Sequence, residues 1–199
     1  MYQSKLPWLE IQDLDLPYRD MLAEAQRLRH RFVQHRQGCG QGWLSLCIHG
    51  TSAEHTDAPS AYGLADHEVV YDWTDIQNLC PVTVDVFKNK FFYTKYLRIR
   101  YMLVEPGGYI TPHTDGNHFC LGAVNMSLNN PSGCRLVTEQ GTVPFKDSGT
   151  AVLFNTSYQH AVWNDSHTDR IHMIVHGSPN PEFWQKKVTD SFTKLHDIQ

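Results

Sequence analysis

Between Leu97 and His176 the chain is cut into eight short β-prone segments: Leu97 to Val104, Tyr109 to Pro112, Phe119 to Leu128, Arg135 to Thr138, Gly141 to Phe145, Ala151 to Phe154, His160 to Trp163 and Arg170 to His176. Turn-forming residues separate them at Pro106-Gly107-Gly108, Asn129-Asn130-Pro131-Ser132-Gly133 and Lys146-Asp147-Ser148-Gly149. Many short strands joined this way bury their apolar faces by curling into two facing sheets. The expected fold class is therefore mainly β, a double-stranded β-helix or jelly roll, with helices flanking it at both ends.

Upstream, Asp20 is the expected N-cap of a helix over Met21 to Arg36, with Leu22, Ala25, Leu28 or Arg29, and Phe32 at helical spacing before Gly38-Cys39-Gly40 stops it. Trp43 to Ile48 reads as a strand. The polar stretch Gly50 to Asp66 is too long for a tight connection, which leaves a lid or substrate wall on one hand and an irregular excursion on the other. Trp184, Val188, Phe192 and Leu195 mark one face of a closing helix. With 199 residues, 41% of them hydrophobic, there is material for one core. The expected layout is a single domain, 1–199, with helical support at 1–45, the jelly roll at 73–177 and the last helix at 182–196.

A net charge of −4 argues against a partner bound through phosphate neutralisation, so no nucleic acid is expected. The basic run Arg27, Arg29, His30, Arg31, His35, Arg36 spreads around a helix and reads as a solvated face. Five cysteines, odd in number and without a Cys-x-x-Cys pair, favour reduced thiols and a cytoplasmic location. No signal-peptide-like or bilayer-spanning apolar run is present, so no membrane partner is expected. No motif specifies an oligomeric state. Of twelve histidines, most, including His49, His55, His67 and His196, read as surface or loop residues.

His113 and Asp115 are different. Residues i and i+2 of a strand share a face, so both side chains reach one ion from a single extended segment. With His160 from elsewhere in the chain they make two imidazoles and a carboxylate, the facial triad of non-haem Fe(II) oxygenases, which leaves coordination positions open. Arg170 lies ten residues beyond His160. If 160–163 and 170–175 form a hairpin turning at Asp165, Arg170 stands opposite His160, about 5 Å away. A planar guanidinium there suits a carboxylate.

The stretch from Trp73 to His176 resembles the Fe(II)- and 2-oxoglutarate-dependent dioxygenases of the aspartyl/asparaginyl β-hydroxylase-like branch, and is also similar to bacterial hydroxylases of free proline. The resemblance rests on Cys80-Pro81, Arg98-Ile99-Arg100-Tyr101, the run Pro106 to Asp115, Gly133-Cys134 and the run Phe154 to Asn164. It implies a jelly roll like that of cupins, with iron on His113, Asp115 and His160, Arg170 on the 5-carboxylate of 2-oxoglutarate, and dioxygen at the remaining position. The implied activity is hydroxylation of an unactivated C–H in a free amino acid or a peptidyl Asp, Asn or Pro-like residue, with succinate and carbon dioxide as coproducts. Asp115 stands where the animal β-hydroxylases have glycine, Met102 where peptide hydroxylases have a cosubstrate-binding serine, and Asn125 where they have a histidine.

His172 shares the face of Arg170 and is either a ligand contact or a buried hydrogen-bonded histidine. Asn125 and Arg100 lie on strands that line a cavity or simply pack. Trp163 alternates away from His160 and reads as core. His118 is not assigned to the metal, because a fourth ligand would close a site that has to stay open. The competing functions are a cupin-like protein that holds metal and a small acid without turnover, and a cupin dioxygenase or isomerase independent of 2-oxoglutarate, in which Arg170 has no task.

Overall fold

One strand of 21 residues, Tyr93–His113, organises the structure. The computed structural model describes residues 2–3, 5–116 and 120–196. In chain order the elements are β1 (Tyr2–Gln3), β2 (Trp8–Glu10), α1 (Tyr18–Arg27), β3 (Val33–Gln34), β4 (Gly40–Gly50), β5 (Asp72–Trp73), α2 (Pro81–Asp85), β6 (Tyr93–His113), β7 (Cys120–Leu121), β8 (Val124–Ser127), β9 (Cys134–Thr138), β10 (Gly141–Thr142), β11 (Ala151–Phe154), β12 (His160–Asn164), β13 (Arg170–Pro179) and α3 (Pro181–His196).

The long strand is shared between two walls. Its first half pairs antiparallel with β13 from Tyr93 to Val104 and with β4 from Ile99 to Val104, while Tyr109 to His113 pair with β12. The sheet continues β10-β9-β12-β6-β13-β8-β11-β2, antiparallel throughout, and curls into a jelly roll. Pro106-Gly107-Gly108, expected to separate two strands, instead forms a corner within one. Gly107 has φ 71°, and a Cβ at Gly108 would lie 2.8 Å from the Glu105 carbonyl oxygen and 2.9 Å from that of Gln41, so the backbones approach too closely for any side chain.

Alternation along β6 divides the core in two. Ile99, Tyr101 and Leu103 pack outward in one cluster with Met21 and Ala25 of α1 and with Leu28 just beyond it. Met102, Val104 and Ile110 point into the barrel with Trp43, Leu136, Phe154 and Val162. Both faces being covered explains why the strand is apolar at successive residues as well as alternate ones.

Several expectations are corrected. The first helix spans Tyr18–Arg27, with Asp20 in its first turn rather than at the cap, and Arg29–Arg31 form a 3-10 turn before β3. The helix ends early because β3 has to meet β4, and Phe32 is still buried by that bend. The N-terminal 45 residues are more than helical support, since β2 pairs with β11 and β4 with β6. The segment expected from Phe119 begins outside the described residues, as does His118, and Gly122-Ala123 break it into β7 and β8. The strand expected over 141–145 shortens to β10. In α3 only the N-terminal half of the expected apolar face is covered: Trp184 is buried, whereas Phe192 and Leu195 are exposed and Ser191 is buried in their stead. His49 is buried in β4 between Trp73 and Tyr96 rather than at the surface. Trp163 is only half-buried, lying under the guanidinium of Arg135. Cys39, Cys47, Cys80 and Cys134 are free.

The helical layer is tied down by one buried carboxylate. Glu24 accepts hydrogen bonds from the backbone N–H groups of Val82 and Thr83, at 2.8 and 2.9 Å, and from the Thr83 hydroxyl at 2.7 Å. It thereby satisfies the orphan donors that open α2, and Thr83 in turn meets the Tyr101 hydroxyl on β6. Glu24→Ala is expected to lower unfolding free energy by about 2–4 kcal/mol, read by urea denaturation, because the loss leaves several buried donors unpaired.

Candidate metal centre

His113 ends β6 and His160 begins β12, and the two are direct partners across the ladder. Their rings lie 4.3 Å apart between centroids. The Nδ1–H of His113 donates to the Thr111 carbonyl at 2.8 Å, and that of His160 to the Tyr158 carbonyl at 2.9 Å. Each bond fixes the tautomer in which Nε2 carries the lone pair, as an imidazole ligand requires. Asp115 follows just past the strand, its N–H donating to the Thr156 carbonyl at 3.0 Å. Ligand atoms of His113, Asp115 and His160 all fall within 4.8 Å of one another. Burial lowers the pKa of His160 and keeps it neutral. Two imidazole nitrogens and one carboxylate on the same side of a point fit a divalent iron with its other positions free.

The triad opens on a cavity of about 410 Å³, within the ~300–1,000 Å³ range of small-molecule sites. Ile110, Leu136, Phe154, Val162 and Ile174 give it apolar walls. Asn125, Arg100 and His172, singled out from the sequence, all line it. Arg170 does not. It is fully buried behind His172, donating from Nη1 to His172 Nδ1 at 2.9 Å and from Nε to Asn130 Oδ1 at 3.1 Å, with Phe145 under its guanidinium. Its Nη2 has no hydrogen-bond partner among the described residues.

The expected hairpin between residues 160 and 170 is absent. β12 and β13 each pair with β6, at opposite sides of its corner, so His160 faces His113 and Thr138 while Arg170 faces Val104. Period-two patterning identifies strands but not which strands meet.

Sequence reasoning missed Arg36 and Asp57. The Arg36 guanidinium grips Asp57 through Nε and Nη2, at 2.7 and 2.9 Å, and reaches Asp115 through Nη1 at 3.4 Å. Burial raises the Asp57 pKa, but Arg36 and the Ala58 N–H outweigh it and hold the carboxylate down at about 2. Arg36 was hidden in a basic run in which two other arginines also form ion pairs, Arg29 with Glu105 and Asp169, and Arg31 with Asp75. Asp57 and Ala58 line the cavity, so the Gly50 to Asp66 segment is a wall of the site.

His35, His172 and His176 also surround the cavity. Burial, then the charge of Arg100, brings His35 down to about 3; burial and neighbouring arginines push His172 and His176 well below the usual range. These groups take up protons on unfolding but not in the native state, so their contribution is intact above about pH 6.5 and is lost as pH falls from there toward 3. Stability of the metal-free protein is expected to drop by up to about 4 kcal/mol per pH unit below pH 6.5, measured by denaturant titration.

The aspartyl/asparaginyl beta-hydroxylases of Homo sapiens and Mus musculus are each 28% identical to this chain over 93 residues, which is 46% of it. The match spans 11% of the human protein and 12% of the mouse protein, so the chain corresponds to a small part of either. Among solved structures, a prolyl-4-hydroxylase of Pseudomonas putida is 16% identical, with 86% of this chain and 92% of that one covered and a TM-score of 0.46. The model of the family Aspartyl/Asparaginyl beta-hydroxylase matches residues 18–178, from the first residue of α1 almost to the end of β13, and on that extent the chain belongs to this family.

Proposed function

We propose that the chain is an iron(II)- and 2-oxoglutarate-dependent oxygenase that hydroxylates an unactivated C–H of an amino acid or peptidyl residue. The observation that carries the reading is the convergence of His113, Asp115 and His160 with both imidazole Nε2 atoms left free for a metal. When bound, iron(II) supplies the oxidative decarboxylation of 2-oxoglutarate by dioxygen to succinate and carbon dioxide, with the second oxygen atom going to the substrate C–H.

The protein's part is to hold, orient and exclude. Arg170 takes the far carboxylate of the cosubstrate once the cavity opens beside His172, which now stands between them; the carboxylate would then give Nη2 the acceptor it lacks. His172, neutral and accepting from Arg170 at Nδ1, carries its proton on Nε2 and is the donor beside that carboxylate. Arg36 holds Asp115 in orientation and, through Asp57, holds the loop wall in place. Val162, Leu136 and Phe154 keep bulk water from the reacting carbon.

The test is a screen of free amino acids and short peptides with iron(II), 2-oxoglutarate and dioxygen. Succinate release coupled to an acceptor that gains one oxygen atom supports the reading. Binding of iron and 2-oxoglutarate with no succinate from any acceptor replaces it with that of a sensor, and turnover that persists without 2-oxoglutarate replaces it with that of a different dioxygenase.

A further inference from the structure

We propose that Arg98 and Arg100 form a second anion site inside the barrel, one that binds the carboxylate of a free acidic or amino-acid substrate. The inference rests on the oxygenase reading above and names its substrate class.

Arg98 and Arg100 lie two residues apart on β6, on one face, and both line the cavity that holds the triad. Arg100 is 5% exposed, and its Nε has no hydrogen-bond partner among the described residues; nor does Nη1 of Arg98. The contacts Arg100 does make are to uncharged acceptors, the Thr56 carbonyl and, at 3.5 Å, Nδ1 of His176. A buried guanidinium beside a half-buried one, neither with a carboxylate partner among the described residues, is costly to the folded chain. Such an arrangement is expected where a ligand completes it, and the missing acceptor is an anion with two oxygens.

Arg170 does not share this site. In register Arg100 pairs with Ile174 and Arg170 with Val104, so the two arginines are four residues apart along the barrel wall, about 13 Å. The charge tally separates them further. Iron(II), Asp115, a 2-oxoglutarate dianion and Arg170 cancel, as do Arg36 and Asp57. Arg98 and Arg100 remain, two positive charges facing the space left for the substrate. A neutral peptidyl residue offers no charge to meet them and a peptidyl aspartate one carboxylate, whereas a free amino acid always brings its α-carboxylate and a free acidic one brings two.

The experiment compares acids with their amides by calorimetry on the metal-free protein, with L-aspartate, L-asparagine and L-proline against their α-amides as probes, and 2-oxoglutarate in a separate titration. In the wild type at least one acid is expected to bind about 10- to 100-fold more tightly than its amide. Arg100→Gln should abolish that preference, Arg100→Lys should restore part of it, and the affinity for 2-oxoglutarate should move less than threefold in both. Equal binding of acid and amide by the wild type overturns the proposal without any variant. So does a loss of 2-oxoglutarate affinity in Arg100→Gln that matches the loss of acid, since Arg100 would then hold the cosubstrate. Failure of the oxygenase reading is distinguishable, because it appears as absent succinate while the acid preference persists.

Discussion

Alanine at His113, Asp115 or His160 is expected to remove iron binding and, with it, 2-oxoglutarate turnover, while leaving the barrel folded. Residues that merely orient a metal ligand are worth about 10- to 100-fold in metal affinity, so deleting a ligand should cost at least 100-fold. The barrel survives because His113 and Asp115 lie at its mouth, with side chains 25% and 39% exposed, and neither belongs to the apolar clusters. Thermal unfolding with and without iron(II) reads both parts at once. The wild type should melt higher when iron is added, since a ligand that binds only the native state stabilises it, and the variants should melt at the metal-free temperature in either case. A variant that still responds to iron would remove that residue from the centre.

Arg170→Met separates function from stability in opposite directions. A fully buried cation with no carboxylate partner and an unpaired Nη2 costs the ligand-free fold, so an apolar side chain of similar length should leave stability unchanged or raise it by about 1–4 kcal/mol. Loss of a charge-assisted contact to a buried carboxylate is worth about 2–5 kcal/mol, which raises the 2-oxoglutarate requirement roughly 30-fold to several thousandfold. A structural arginine would show the reverse, a less stable protein with normal cosubstrate affinity. Denaturant titration alongside cosubstrate titration decides between them.

The turn residues and the alternation of short segments were enough to read the jelly roll, because those signals are local. The triad was legible for a similar reason, since His113 and Asp115 share a strand face and only His160 had to be brought from elsewhere. What the sequence hid depends on which strands meet. His160 and Arg170 sit near each other in the chain but pair with stretches of β6 on either side of its corner, so the hairpin reading failed even though both segments are strands. The cationic interior left a trace in Arg98-Ile99-Arg100 and in Arg170-Ile171-His172, where charged or titratable residues alternate with apolar ones in strands buried on both faces. That pattern breaks the rule for a core strand and marks an inward face that serves a ligand. Arg36 left no comparable trace, because its partner Asp57 lies in a loop with no periodicity to place it.

β6 has neighbours on both of its edges along Ile99 to Val104, and its far end carries His113. Shifting that backbone would mean breaking two hydrogen-bonded ladders together, so the iron-facing side of the chamber behaves as an anvil. Whatever breathing admits a guest falls to the opposite rim, the loop held by the Arg36–Asp57 ion pair and, through Thr56, by Arg100 and His35.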